Sequence, residues 1–259
     1  MKRVLTALGL IPVAAWVVLA ADGWIFLAVL VIAACLSFCE YNSIAEGYGF
    51  GAPGVVGYGA GLLFLVWWDV PWPVLVAVTL IAMAMTMRED DLAHALPRAA
   101  LLVVGVIYVF GCWKCARPLR AINPHWLMYG LMLNWVGDIG AYYIGRPFGK
   151  HKLAPRVSPK KSWEGSVASV FTSILLGTLY LWHFIPSFPL GYAIALTAAA
   201  NGAGQLGDLA ESAMKRGAHV KDSGALLPGH GGFLDRVDST LFALPVIYCF
   251  LQVYFRSTF

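Results

Sequence analysis

Charge is what this sequence has least of. Only 12% of its 259 residues are Asp, Glu, Lys or Arg, against roughly 25% in a typical soluble domain. Water is therefore not the main solvent for its surface. The net charge of +4 is modest and does not suggest a nucleic-acid partner. Cysteine is also sparse. Cys35, Cys39 and Cys249 sit in apolar runs, and Cys112 and Cys115 form a single C-x-x-C. A zinc site needs four ligands. Without a second pair, this one reads as two helix-end cysteines rather than as a metal or redox motif. No internal repeat, low-complexity tract or long linker appears.

What is abundant is apolar surface. Hydrophobic residues make up 59% of the chain, and the mean hydropathy is +0.72. A helix of roughly 20 apolar residues crosses a bilayer, so this length accommodates about eight to ten spans. Hydropathy places nine, near residues 4–21, 23–39, 54–68, 72–87, 99–113, 125–144, 166–184, 189–207 and 239–255. The fold class expected is all-α, a polytopic transmembrane helical bundle whose polar loops form the site. Turn-rich joints separate the runs, at Ala52-Pro53-Gly54, Pro71-Trp72-Pro73 and Pro186-Ser187-Phe188-Pro189. Trp67, Trp68, Trp72, Trp113, Trp126 and Trp182 fall near run ends, where an amphipathic ring suits the interface.

Met1-Lys2-Arg3 before the first run fits a retained first span with a cytoplasmic N-terminus better than a cleaved signal peptide. On that topology Lys2, Arg3, Arg88, Arg98 and the basic residues of 146–161 and 215–236 lie inside. Lys114, Arg117, Arg120 and Arg256 lie outside. The bias is inward, as the positive-inside rule requires.

The chain divides by character. Residues 1–122 are N-terminal membrane helices with little motif content. Residues 123–259 hold nearly all the unusual polar chemistry, in two polar stretches. The first runs from Asn134 to Gly165 and carries six of the eighteen basic residues. Asp138 lies inside its apolar run. A carboxylate at membrane depth costs several kcal/mol unless it is paired or wet, and it usually marks a pathway or an ion site. The bland alternative is a structural ion pair with Arg146 or a lysine. Ser158-Pro159 has the chemistry of a helix start, with serine as N-cap and proline in the first turn. Exposed amides there, beside Lys160 and Lys161, would seat a triphosphate or lipid phosphate.

The second stretch, read as a loop, runs from Gly207 to Ser239. Asp235 and Asp238 are three apart and would share one face of a helix. Two carboxylates so placed repel unless a cation lies between them, and oxygen-only ligands suit Mg²⁺. Asp208 is a third candidate ligand. Lys215, Arg216, Lys221 and Arg236 could hold phosphate oxygens. Gly229, Gly231 and Gly232, around His230, let the backbone approach a ligand closely. Each acid alone could be an ordinary salt bridge. Together they point to metal-assisted phosphate chemistry.

The pattern Ser212-x-x-Lys215-Arg216, Lys221-Asp222-Ser223 and His230-Gly231-Gly232-x-x-Asp235-Arg236-x-Asp238, with Pro228 two residues before the histidine, resembles the signature of phosphatidate cytidylyltransferases. Phe148-Gly149-Lys150 and Ser158-Pro159-Lys160-Lys161 resemble the same family. The likeness covers roughly residues 134–245. It implies synthesis of CDP-diacylglycerol and pyrophosphate from CTP and phosphatidic acid, with Mg²⁺ and a second cation such as K⁺. It implies Asp208, Asp235 and Asp238 as metal-site acids and Asp235, Lys215 and Asp208 as catalytic. Ser212, Arg216, Lys221, Asp222, His230, Arg236, Lys160, Lys161, Ser158 and Asp138 are the expected substrate-binding set. It further implies an integral protein, expected as a homodimer. The compact chain suits a bacterial inner membrane, with the site facing the cytoplasm.

Rival readings are a related CTP-dependent membrane enzyme, either a polyprenol or phytol kinase or a cytidylyltransferase for another lipid phosphate, and an ion-coupled transporter using Asp138 and Asp208. A transporter leaves the His230-Gly231-Gly232 segment unexplained. A CDP-alcohol phosphatidyltransferase would need an Asp-Gly-x-x-Ala-Arg pattern, which is absent. An inactive scaffold would not need the intact acidic set.

Overall fold

A computed structural model describes residues 2–69, 72–226 and 231–258. Pro71, in one expected joint, and His230, with Pro228 and Gly229, lie outside them. Helices dominate: α1 (Lys2–Leu19), α2 (Gly23–Glu46), α3 (Gly54–Val66), α4 (Trp72–Met85), α5 (Ala95–Gly105), α6 (Cys112–Lys114), α7 (Ala116–Ile122), α8 (Pro124–Phe148), α9 (Trp163–Phe184), α10 (Leu190–Gly217) and α11 (Leu234–Thr258). A π-helical stretch, Val106–Gly111, joins α5 to α6. An antiparallel hairpin, β1 (Lys152–Ala154) with β2 (Ser158–Ser162), pairs Lys152 with Ser162 and Ala154 with Ser158.

Each of the nine apolar runs overlaps a helix. Among the described residues, four segments are long and apolar enough to cross a membrane: Gly23–Glu46, Leu92–Ile122, Trp163–Phe184 and Leu234–Arg256. Gly54–Val66 and Pro73–Arg88 are apolar but shorter. The protein is an integral membrane protein. Polar residues dilute α8 and α10, which carry Asn134, Asp138 and Arg146, and Asn201, Gln205 and Asp208.

Two readings of local structure need correction. Residues 207–217 are not a loop, because α10 continues to Gly217. Asp208 through Lys215 are mostly good helix formers, and Lys215 and Arg216 suit the negative end of the helix dipole. Nor does a helix start at Ser158-Pro159. Those residues form β2, where Pro159, lacking an N–H, is tolerated in a two-stranded ribbon. The helix begins at Trp163 instead, capped by Ser162, whose Oγ accepts from Gly165 N at 3.2 Å.

The chain forms two compact units. The first comprises residues 1–13, 21–114 and 214–236. Its centre is aromatic: Phe38 packs on Phe110 and Tyr58, with ring centroids at 5.0 and 4.8 Å. Gly57, Gly61 and Gly105 leave room for those rings, since a Cβ at any of them would strike Phe38, Phe110 or Tyr41. Tyr41 Oη donates to Leu101 O (2.9 Å), and Trp113 Nε1 donates to Ser37 Oγ (3.3 Å). These contacts fix the rotation of α2, and hence where Glu40 points.

The second unit comprises residues 14–20, 115–213 and 237–259. Its seam is a small-residue stripe on α9, Gly165, Ser169, Ser173 and Gly177, all buried. Residues at this spacing share one helix face, and small side chains let helices approach closely in lipid. Gly137 and Gly145 of α8 meet it, and Gly140 faces Thr172 and Ala168 beside it. A Cβ on Gly145 would lie 3.1 Å from Gly165 Cα. This close packing brings α8 and α9 together under the polar residues of α10.

Candidate active site

In the second unit, a cavity of about 620 Å³ opens beside α8, α9, α10 and the hairpin. That size is typical of small-molecule sites. Four cations line it, Arg146, Lys152, Lys160 and Lys161, with two carboxylates, Asp138 and Asp208. Lys161 Nζ pairs with Asp208 Oδ2 at 2.6 Å, the side chains being 27% and 32% exposed. Ser212, one helical turn after Asp208, donates to its Oδ1 at 3.4 Å. Arg146 donates to Tyr142 Oη at 2.5 Å and lies over that ring. The hairpin presents Lys152 and the two β2 lysines from one short segment. Its base is tied down where His151 N and Nδ1 donate to Glu164 at 3.2 and 2.7 Å.

The cavity floor is a polar ladder. Asn201 Nδ2 donates to Ser169 Oγ (3.1 Å) and Ser173 Oγ (2.9 Å). Gln205 Nε2 donates to Asn201 Oδ1 (2.7 Å), and Ser166 donates to Gln205 Oε1. Asn134 Nδ2 donates to Thr240 Oγ1 at 3.1 Å. Buried amides that satisfy one another hold a rigid, defined arrangement. Asp238 is buried in this unit, and its Oδ1 accepts from Ser239 N at 2.6 Å.

In the first unit, Asp235 is enclosed rather than open. Lys215 Nζ donates to its Oδ1, the two side chains being 10% and 7% exposed. Ser223 N donates to both carboxylate oxygens (3.3 and 3.2 Å), and Gly232 N donates to Oδ2 (2.9 Å). Gly231 makes the turn possible. Its φ is 80°, a conformation disfavoured for residues with a Cβ, and a Cβ there would lie 2.9 Å from Asp235 Oδ2. Arg216, Lys221, Asp222 and Arg236 are exposed, and Arg216 donates to Val220 O at 3.2 Å. Ser158 lies half-buried in β2.

Among the described residues, no group of three or more His, Cys, Asp or Glu side chains could hold a metal ion. Mg²⁺ does not require one. It commonly takes one or two carboxylates, with water and substrate phosphates completing the shell. Asp138 and Asp208, lining one cavity with amide and hydroxyl oxygens, fit that demand. Asp235 fits less well, because both its oxygens already accept from Lys215 and loop amides.

Residues 1–254 match the sequence profile of the Cytidylyltransferase family. The chain belongs to this family. It is 37% identical over 156 residues to a phosphatidate cytidylyltransferase of Bacillus subtilis (strain 168), covering 59% of this chain and 58% of that one. It is 36% identical over 173 residues to the phosphatidate cytidylyltransferases of Staphylococcus aureus (strain COL) and Staphylococcus haemolyticus (strain JCSC1435), covering 67% of this chain and 66% of each. The chain thus spans under two thirds of the length of these relatives.

Within the family setting, several site residues went unnoticed in the sequence. Lys152, Asn201 and Gln205 line the cavity. Glu40, on α2, is buried at 6% exposure against the signature segment. A lone acid in an apolar run was the available signal for Glu40. For Asn201, Gln205 and Asp208, the signal was polar residues recurring three to four apart along one otherwise apolar helix.

Proposed function

We propose that this protein transfers CMP from CTP to phosphatidic acid, releasing CDP-diacylglycerol and pyrophosphate. The single observation that carries the reading is the cavity of four cations and two carboxylates set among apolar helices. One substrate is a soluble tetra-anion and the other never leaves the bilayer, so a polar cavity at a membrane edge serves both. The lipid phosphate is already an oxyanion at neutral pH and needs no strong base. Its oxygen bonds to the α-phosphorus of CTP as the bond to the bridging β-phosphate oxygen breaks, and the electron pair leaves on pyrophosphate. Lys152, Lys160 and Lys161 would hold the phosphate oxygens, and Arg146 could do so bidentately. Asp138 and Asp208 would hold Mg²⁺, which when bound supplies neutralisation of charge on the triphosphate. The rest is positioning and fixed electrostatics.

The reading places nine spans in a bacterial inner membrane, with this cavity on the cytoplasmic side and a homodimer as the working form. The inward bias of lysine and arginine supports that orientation.

The test uses the purified protein in detergent with phosphatidic acid, labelled CTP and Mg²⁺. Labelled CDP-diacylglycerol that disappears on Mg²⁺ removal is the expected result. Label that enters a lipid only when phosphatidic acid is replaced by another lipid phosphate or a polyprenol would overturn the substrate assignment.

A further inference from the structure

The N-terminal helices hold a buried carboxylate that accepts from the start of a distant helix. Glu40 lies on α2, 6% exposed. Its Oε1 accepts from Phe233 N at 2.8 Å, and its Oε2 accepts from Leu234 N at 2.7 Å and Ser223 Oγ at 2.7 Å. Helix α11 begins at Leu234, so the two amides are among the orphan donors that every helix start must satisfy. The residue before the helix is Phe233, whose side chain cannot accept. A carboxylate from a helix some 190 positions earlier in sequence does it instead.

The chain is shaped around this group. A Cβ at Gly232 would collide with both Ser223 Oγ and Glu40 Oε2, and one at Gly224 would come within 2.5 Å of Glu40 Oε1. Ser223 then links Glu40 to Asp235: its hydroxyl donates to Glu40 and accepts from Asp235 N at 3.3 Å, while its own amide donates to Asp235. Asp235 in turn receives Lys215. Glu40 thus ends a chain of contacts that runs through Ser223 to the Asp235–Lys215 pair.

We propose that Glu40 is a positioning residue of the reaction, setting Phe233 and Leu234 at the start of α11 and through Ser223 the placement of Asp235 and Lys215. The inference rests on the cytidylyltransferase reading above. A plain helix cap would stabilise α11 and leave turnover untouched. A positioning residue lowers kcat in protein that remains folded, because a misplacement of about 1 Å costs up to roughly a hundredfold in rate.

The experiment compares wild type, Glu40→Gln and Ser223→Ala, purified in detergent, by thermal unfolding and by steady-state kinetics well below the unfolding temperature. Glutamine keeps the size but faces the loop donors with an NH₂ group. Ser223→Ala leaves the Phe233 and Leu234 amides capped and cuts only the link to Asp235. We expect kcat to fall about 10- to 100-fold in Glu40→Gln and about tenfold in Ser223→Ala, with KM for CTP within about twofold. Wild-type kcat in folded Glu40→Gln, or in Ser223→Ala, overturns the inference while leaving the enzyme reading standing. Should Glu40→Gln not fold, Ser223→Ala decides alone: a fall in kcat supports positioning and an unchanged kcat refutes it. A folded wild type that makes no labelled lipid removes the enzyme reading, and this inference with it.

Discussion

Asp208 and Asp235 carry the same carboxylate and are held in opposite ways. Asp208, in the second unit, faces an open cavity, is about a third exposed and keeps one lysine and one hydroxyl as neighbours. Asp235, in the first unit, is almost sealed and takes a lysine and two backbone amides on its two oxygens. An open acid with spare lone pairs can accept a cation or answer to a substrate. A saturated acid fixes the backbone around it. The contrast extends to their partners, since Asp138 shares the cavity with Asp208, whereas Glu40 is locked into the segment that holds Asp235.

The contrast is broken most forcefully at Asp208. Asp208→Asn should lower kcat/KM roughly 10²- to 10³-fold, the scale of losing one preorganised electrostatic group. Its thermal unfolding in detergent should stay near wild type, because the Lys161 pair is partly exposed. A large drop in melting temperature with normal turnover would assign Asp208 to the scaffold. Asp235→Asn should behave otherwise, losing stability as well as rate. Removing one partner of a buried pair strands the other charge and costs about 3–5 kcal/mol, readable by thermal unfolding. The double variant Asp235→Asn/Lys215→Met should recover part of that stability and none of the activity.

Smaller effects sharpen the distinction. Lys160→Ala should raise KM for CTP about tenfold, the loss of one charge-assisted hydrogen bond, with kcat changed much less. Arg98→Ala marks the lower end. Arg98 Nη1 pairs with Glu89 at 2.5 Å, but the arginine is 42% exposed, and such pairs contribute about 0–1 kcal/mol. Activity should be unchanged in the labelled-CTP assay.

The sequence exposed the helical plan because apolar runs report burial in lipid directly. Asp138 was legible for the same reason: an acid at membrane depth demands an explanation. Glu40 meets the same criterion, but it stands alone in a half with little motif content. Its three donors come from residues 223, 233 and 234, and no local pattern reveals a partner so distant. The continuation of α10 past residue 207 was hidden by its charges, which resemble a loop yet sit comfortably on a helix end. Pro159 misled in the other direction, since serine before proline suits a helix start and an extended edge equally. The ladder from Asn201 through Gln205 to Ser166 is a product of packing, made possible by the glycines and serines of α8 and α9.

The most direct measurement is equilibrium binding of labelled CTP to the purified protein, comparing wild type, Lys160→Ala/Lys161→Ala and Asp235→Asn. If the cation-lined cavity seats the triphosphate and the Asp235 segment serves to position, the lysine variant loses binding and Asp235→Asn retains it within about twofold. Undiminished binding in the lysine variant, with binding abolished in folded Asp235→Asn, would contradict this division of labour.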